Sequence, residues 1–92
     1  MDYYHHLWAV IHLSALNFEK GVSDEIEYEK FYKSISCTMK CMKCVQHFNQ
    51  YIENNPIDFD NLFNWTVDLH NDVNKIRGAP TYTYEETLKY WS

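Results

Sequence analysis

The chain has 92 residues and a formal net charge of −5. That is the size of one small domain, without the basic footprint of a nucleic-acid binder and with no apolar run long enough to span a bilayer. Its two glycines and two prolines exclude a low-complexity chain or a turn-rich β sandwich, while sixteen aromatic residues, eight of them Tyr, are a heavy load for so small a core and suit a pocket for a flat ligand.

The N-terminus, Met1-Asp2-Tyr3-Tyr4-His5-His6, lacks the basic and apolar regions of a signal peptide, so the chain is expected to stay on the side of the membrane where it is made. Residues 3–19 are predicted as a helix, because Trp8, Ile11, Ala15 and Phe18 recur at helical spacing. His12 lies one turn from Trp8, so the two rings share a face. Taken alone, the pair reads as a core Trp beside a hydrogen-bonded His. Gly21 is placed to end this helix. Ser23 is the expected N-cap of a second helix, with Asp24 and Glu25 in its first turn. That helix runs to about Ser36, with Tyr28, Phe31, Tyr32 and Ile35 as its core stripe and Glu25, Glu27 and Glu29 on a solvated face.

The segment from Lys40 to about Asn54 is predicted as a third helix, with Cys44, Phe48, Tyr51 and Ile52 facing inward. Cys41 falls near the helix start, where the dipole, free backbone N–H groups and the charges of Lys40 and Lys43 favour a thiolate. Asn54-Asn55-Pro56 is a break. Asp58 or Asp60 is the expected cap of a fourth helix reaching about Arg77, with Leu62, Trp65, Leu69, Val73 and Ile76 as its core stripe. His70, Asn71 and Asn74 form a polar cluster on it, equally compatible with a solvated face and a ligand site. Gly78 and Ala79-Pro80 end that helix. Thr83-Tyr84-Glu85-Glu86 is a capping box for a short last helix carrying Leu88 and Trp91. The pattern predicts an all-α domain over residues 1–92, an antiparallel four-helix bundle with a short fifth C-terminal helix.

Three chemistries compete for the thiols. Cys41 and Cys44 can cycle as a redox CxxC beside a bound organic cofactor. Cys37, Cys41, Cys44 and His47 supply three thiolates and an imidazole, a donor set adequate for zinc in a non-enzymatic helical module. All three thiols can also pack as small apolar groups. The Cys37-x3-Cys41-x2-Cys44 spacing matches the cluster motif of radical enzymes that use S-adenosylmethionine, but those need a larger barrel-like domain.

Trp8-x3-His12-x2-Ala15, then Cys41-x2-Cys44-x2-His47-Phe48, then Trp65-x4-His70-Asn71-x-Val73-Asn74-x3-Gly78-x-Pro80 resemble, in order and spacing, the Erv/ALR family of FAD-dependent sulfhydryl oxidases. The match spans about residues 8–91. The resemblance implies a four-helix bundle with a short fifth helix and FAD in its mouth. It places Cys44 next to the isoalloxazine ring and makes Cys41 the outer thiol. Trp8 and His12 match positions packing around the cofactor, chiefly its adenine end. His47, His70, Asn71 and Asn74 match positions lining the FAD site, and Trp91 matches the C-terminal aromatic that closes it. The implied activity oxidises thiols of a protein or small dithiol, with electrons passing through the CxxC and flavin to molecular oxygen to give hydrogen peroxide.

The sequence departs from the family pattern in four places. Met39 and Lys40 stand where an aromatic and a Pro often precede the CxxC, and Tyr4-His5 replaces a Gly-basic pair that contributes a cofactor contact. A second, shuttling CxxC is absent, which implies that small thiols or a thioredoxin-like carrier reach Cys41 directly. Cys37 has no evident intramolecular partner; a buried thiol is the favoured expectation for it, and a bridge between subunits is the alternative. The compact chain resembles the short forms of large DNA viruses, which act in the host cytoplasm or virion. The other implied placement is a cellular form, for example in the mitochondrial intermembrane space. Family members form homodimers through their first two helices, which suits the aromatic excess.

Overall fold

A computed structural model describes residues 3–92. Met1 and Asp2 lie outside the described residues. The helices are α1 (Tyr3–Leu16), α2 (Glu25–Ser34), α3 (Met42–Asn54), α4 (Leu62–Arg77) and α5 (Tyr84–Trp91), with a 3-10 turn at Ile35–Thr38. No strand occurs among the described residues, and none of these helices is long and apolar enough to cross a membrane.

Helix α4 is the hub, packing against α1, α3 and α5. It buries Leu62, Trp65, Thr66, Val67, Leu69, Val73 and Asn74. That set exceeds one stripe because the helix has neighbours on several sides. The core joins Trp8, Ile11 and Ala15 of α1, Tyr32 of α2, Cys44, Phe48 and Ile52 of α3, and Leu62, Trp65, Leu69 and Val73 of α4. Polar tips find partners as the rings pack: Trp65 Nε1 donates to the Asn55 carbonyl at 3.1 Å, and Tyr28 Oη donates to the Ser14 carbonyl at 3.1 Å.

Several boundaries differ from expectation. Helix α1 stops at Leu16, three residues early, as Phe18 N turns to the Ala15 carbonyl at 3.3 Å. Phe18 still packs, edge-on to Tyr28 and tilted against Phe59. Gly21 sits in the following turn at φ +84° rather than at the helix end. Asp24, not Ser23, caps α2 by accepting from Ile26 N and Glu27 N. Ser23 Oγ instead accepts from Glu19 N at 2.9 Å, closing the turn before the helix. Asp58 likewise closes a turn by accepting from Asp60 N and Asn61 N, which leaves Asn61 as the cap residue of α4. Gly78 ends α4 as expected, in the left-handed region at φ +70°. The capping box of α5 forms in both directions between Thr83 and Glu86.

Leu69 is fully buried in the hub helix. Leu69→Ala is expected to lower the unfolding free energy by about 2–5 kcal/mol, the range for truncating a buried leucine. Urea denaturation followed by far-UV circular dichroism checks this, and a loss under about 0.5 kcal/mol would contradict the packing.

Candidate functional site

The two thiols of the CxxC have different surroundings because of helix phase. Cys41 is the N-cap of α3, exposed, and its Sγ accepts from Cys44 N at 3.4 Å. Three residues on, Cys44 points into the core and is buried. The Cys41 thiol is pulled below its ordinary pKa, first by its hydrogen bond with the Cys44 thiol, then by the Cys44 backbone N–H, with the Lys43 charge a smaller contribution. The thiolate expected at this helix start is thus favoured chiefly by hydrogen bonding and less by the charge of Lys43. Burial pushes the Cys44 thiol the other way, and its contact with Cys41 adds to that, while the Arg77 charge opposes it. Such a split suits a pair in which the outer sulfur meets a partner and the inner one stays shielded.

Between α1 and α4, Trp8 and His12 of α1 meet His70. The Trp8 and His70 rings stack almost parallel, 8° apart with centroids at 3.9 Å. His12 lies against both, 5.8 Å from Trp8 and 5.1 Å from His70 between centroids. Its Nε2 is 2.8 Å from His70 Nδ1, and its Nδ1 is 3.1 Å from Thr66 Oγ1. Burial holds both imidazoles far below their ordinary pKa, His12 at about 4 and His70 at about 3, with the charges of His12 and Arg77 adding to the shift at His70. Both rings are therefore neutral near pH 7. Arg77 bears electrostatically on Cys44 as well as His70, so thiol and imidazole share one charged neighbour. Trp8 Nε1 is buried and has no hydrogen-bond partner, an orphan donor that a bound ligand's acceptor would satisfy.

A cleft of about 470 Å³ opens beside His70, walled by His5, Val67, Asn71, Tyr82, Glu86, Thr87, Tyr90 and Trp91. Its volume is in the range of small-molecule and cofactor sites. Trp91 stands over it, 5.3 Å from His5 and 5.8 Å from His12 between ring centroids. Asn71 clamps the far wall with two hydrogen bonds to the Tyr82 backbone, Nδ2 to the carbonyl at 2.7 Å and Oδ1 from the N–H at 3.0 Å. Asn74 Nδ2 donates to the Pro80 carbonyl at 3.2 Å. These amides tie the connection before α5 to α4, a role that the spacing of His70, Asn71 and Asn74 does not reveal.

Of the residues singled out in the sequence, Trp8, His12, His70 and Trp91 come together, and Cys41 pairs with Cys44. Asn71 and Asn74 border the same region through the loop they hold. His47 is half-buried one turn beyond Cys44 and, among the described residues, joins neither the ring stack nor the cleft wall. Cys37 is exposed, contrary to the expectation of a buried thiol, because the chain there turns in a 3-10 segment that points it outward. No group of three or more His, Cys, Asp or Glu side chains among the described residues is placed to hold a metal ion. The alternative zinc set of Cys37, Cys41, Cys44 and His47 is therefore not assembled. Sequence reasoning missed Thr66, Arg77 and Tyr82. Thr66 sits one turn before His70, the only sequence signal that could have found it. His5, expected to mark a lost contact, lines the cleft instead.

The family model described as "Erv1 / Alr family" matches residues 5–92. The chain is also similar to the protein named "Probable FAD-linked sulfhydryl oxidase R368" of Acanthamoeba polyphaga mimivirus, with 30% identity over 90 residues. That match covers 89% of this chain and 63% of the relative, so the chain spans less than two thirds of its relative's length. No solved structure matches.

The buried imidazoles make stability depend on pH. Their folded pKa values, about 4 and about 3, lie below the ~6.5 of an unfolded His. The unfolded chain therefore binds more protons in that window, and stability is complete above about pH 6.5 and declines as pH falls towards 4 and 3. Urea titrations at several pH values should show this decline, and a flatter one in His12→Gln. Equal slopes in the two proteins would contradict the neutral buried pair.

Proposed function

The chain belongs to the Erv1/Alr family, and from that premise we propose that it is an FAD-dependent thiol oxidase that makes disulfides in protein or small dithiol substrates. The observation that carries this reading is the asymmetric thiol pair, exposed Cys41 and buried Cys44, which shares the Arg77 charge with His70 of the stacked rings. Those residues fit the flavin cofactor. His70 and Trp91 line the cleft and offer faces for a flat ring system, Trp8 and His12 pack against them, and the buried Trp8 Nε1 is a donor that still needs an acceptor. His47, Asn71 and Asn74 are proposed to complete that site. The Cys44 sulfur is proposed to face the flavin.

A substrate thiolate attacks Cys41 Sγ of the Cys41–Cys44 disulfide; the S–S bond breaks and Cys44 leaves with the electron pair. Arg77 offers the nearby positive charge that eases this departure. A second substrate thiolate attacks the substrate sulfur of the mixed disulfide and expels Cys41. The lowered pKa of Cys41 makes it a good leaving group. FAD, when bound, supplies a two-electron acceptor that lets the Cys41–Cys44 disulfide reform, and molecular oxygen takes the pair to give hydrogen peroxide.

The exposure of Cys41 lets a small dithiol or a thioredoxin-like carrier reach it directly. Val10, Leu13 and Leu16 on α1 and Ile26 on α2 are exposed apolar groups, which supports a homodimer through these two helices. The match to a mimivirus protein supports a viral short form working in host cytoplasm or virion.

The purified protein is expected to be yellow with a flavin spectrum and to oxidise dithiothreitol with oxygen uptake. Cys44→Ser is expected to keep FAD while its turnover falls to background. A colourless sample holding stoichiometric zinc, or wild-type oxidation by Cys44→Ser, would overturn the reading.

A further inference from the structure

The contact between His12 and His70 allows two arrangements of its protons, and one hydroxyl selects between them. Each neutral ring carries a single N–H, on either nitrogen. Thr66 has one hydroxyl proton. Its Oγ1 lies 2.6 Å from the Phe63 carbonyl oxygen and 3.1 Å from His12 Nδ1. A carbonyl cannot donate, so the shorter contact requires the Thr66 proton. Oγ1 is left as an acceptor, and His12 Nδ1 must carry its ring's proton. His12 Nε2 is then a lone pair, and across the 2.8 Å contact His70 Nδ1 must be the donor. The single proton of His70 is directed inward, and its Nε2 is bare.

A threonine that bonds its own helix carbonyl three residues back is common, and that local bond explains nothing outside α4. What it leaves unexplained is the ring from α1, 54 residues away in sequence, seated on the other side of the same buried oxygen. We propose that Thr66 is a positioning residue that sets the tautomers of both histidines, so that His70 offers a hydrogen-bond acceptor, not a donor, to the bound cofactor. This rests on the reading of the ring site as a flavin site. The group of the cofactor beside His70 is then an N–H or O–H, and a carbonyl or phosphate oxygen there would meet lone pair against lone pair. Without the hydroxyl, a proton left on His12 Nδ1 would be buried with no acceptor. The relief is inversion of the whole relay: His12 takes its proton on Nε2, donates to His70 Nδ1, and His70 turns a donor to the cleft.

The test uses the full chain labelled with ¹⁵N at histidine, with and without FAD, as wild type, Thr66→Val and Thr66→Ser. In FAD-free wild type, His12 and His70 are both expected as the Nδ1–H tautomer in two-bond ¹⁵N–¹H spectra. Thr66→Val is expected to convert both to Nε2–H together and to weaken FAD binding about tenfold, the scale of one lost hydrogen bond. Thr66→Ser restores the hydroxyl and is expected to keep the wild-type pattern and affinity. On adding FAD to wild type, the His70 Nε2 resonance should shift as its lone pair accepts a proton donor. Wild-type His12 found as Nε2–H, or tautomers unmoved in folded Thr66→Val, would overturn the role given to Thr66. Should Thr66→Val not fold, the wild-type and Thr66→Ser spectra still decide the tautomer assignment. If wild type takes up no FAD, the functional reading and the ligand half of the inference fail, while the FAD-free spectra still judge Thr66.

Discussion

Two neutral imidazoles buried between α1 and α4 are the constraint on which the rest of the site depends. Charged, they would repel each other and need counterions that the core does not supply. Neutral, they pack as flat rings against Trp8 and link the two helices by a hydrogen bond. Their burial follows from the hub position of α4, which has neighbours on several sides and so places polar as well as apolar side chains out of water. Each buried polar atom then needs a partner. Thr66 meets His12 and Asn74 meets the Pro80 carbonyl. Trp8 Nε1 stands out because it has none.

The thiol pair obeys a simpler rule. A cap residue stands at the helix entrance with its side chain near the free N–H groups, and a residue three positions on lies a turn deeper. Cys41 and Cys44 hold these two positions, so one sulfur is exposed and eased towards thiolate while the other is shielded and held protonated. Arg77, at the last turn of α4, brings a positive charge to this pair and to His70. The electrostatics of the thiol pair and of the ring stack are thereby joined through Arg77.

Much of this was legible from local pattern. The five helices, the Gly78 stop and the α5 capping box follow from apolar spacing and cap chemistry, which act over a few residues. So do the different settings of Cys41 and Cys44. Boundaries slipped where two residues could serve as cap, as with Ser23 and Asp24, because a turn upstream decided which oxygen was free to cap. The roles of Asn71 and Asn74 were not legible, since a helix face does not say that its amides will be taken up by a loop several residues downstream. The exposure of Cys37 is not legible in the sequence because a short 3-10 turn rotates it outward, and three to four residues of such geometry leave no periodic signal.

The sequence by itself determined which segments are helical, which faces are apolar and that the two thiols would differ, because backbone hydrogen bonding and side-chain periodicity are local properties. Only the tertiary structure decided that His12, His70 and Thr66 meet, and with that the direction of the protons between them. It also decided that Trp8 Nε1 is left without a partner. These are relations between α1 and α4, residues more than fifty positions apart, and they exist only once packing brings the two helices into contact and excludes water from between them.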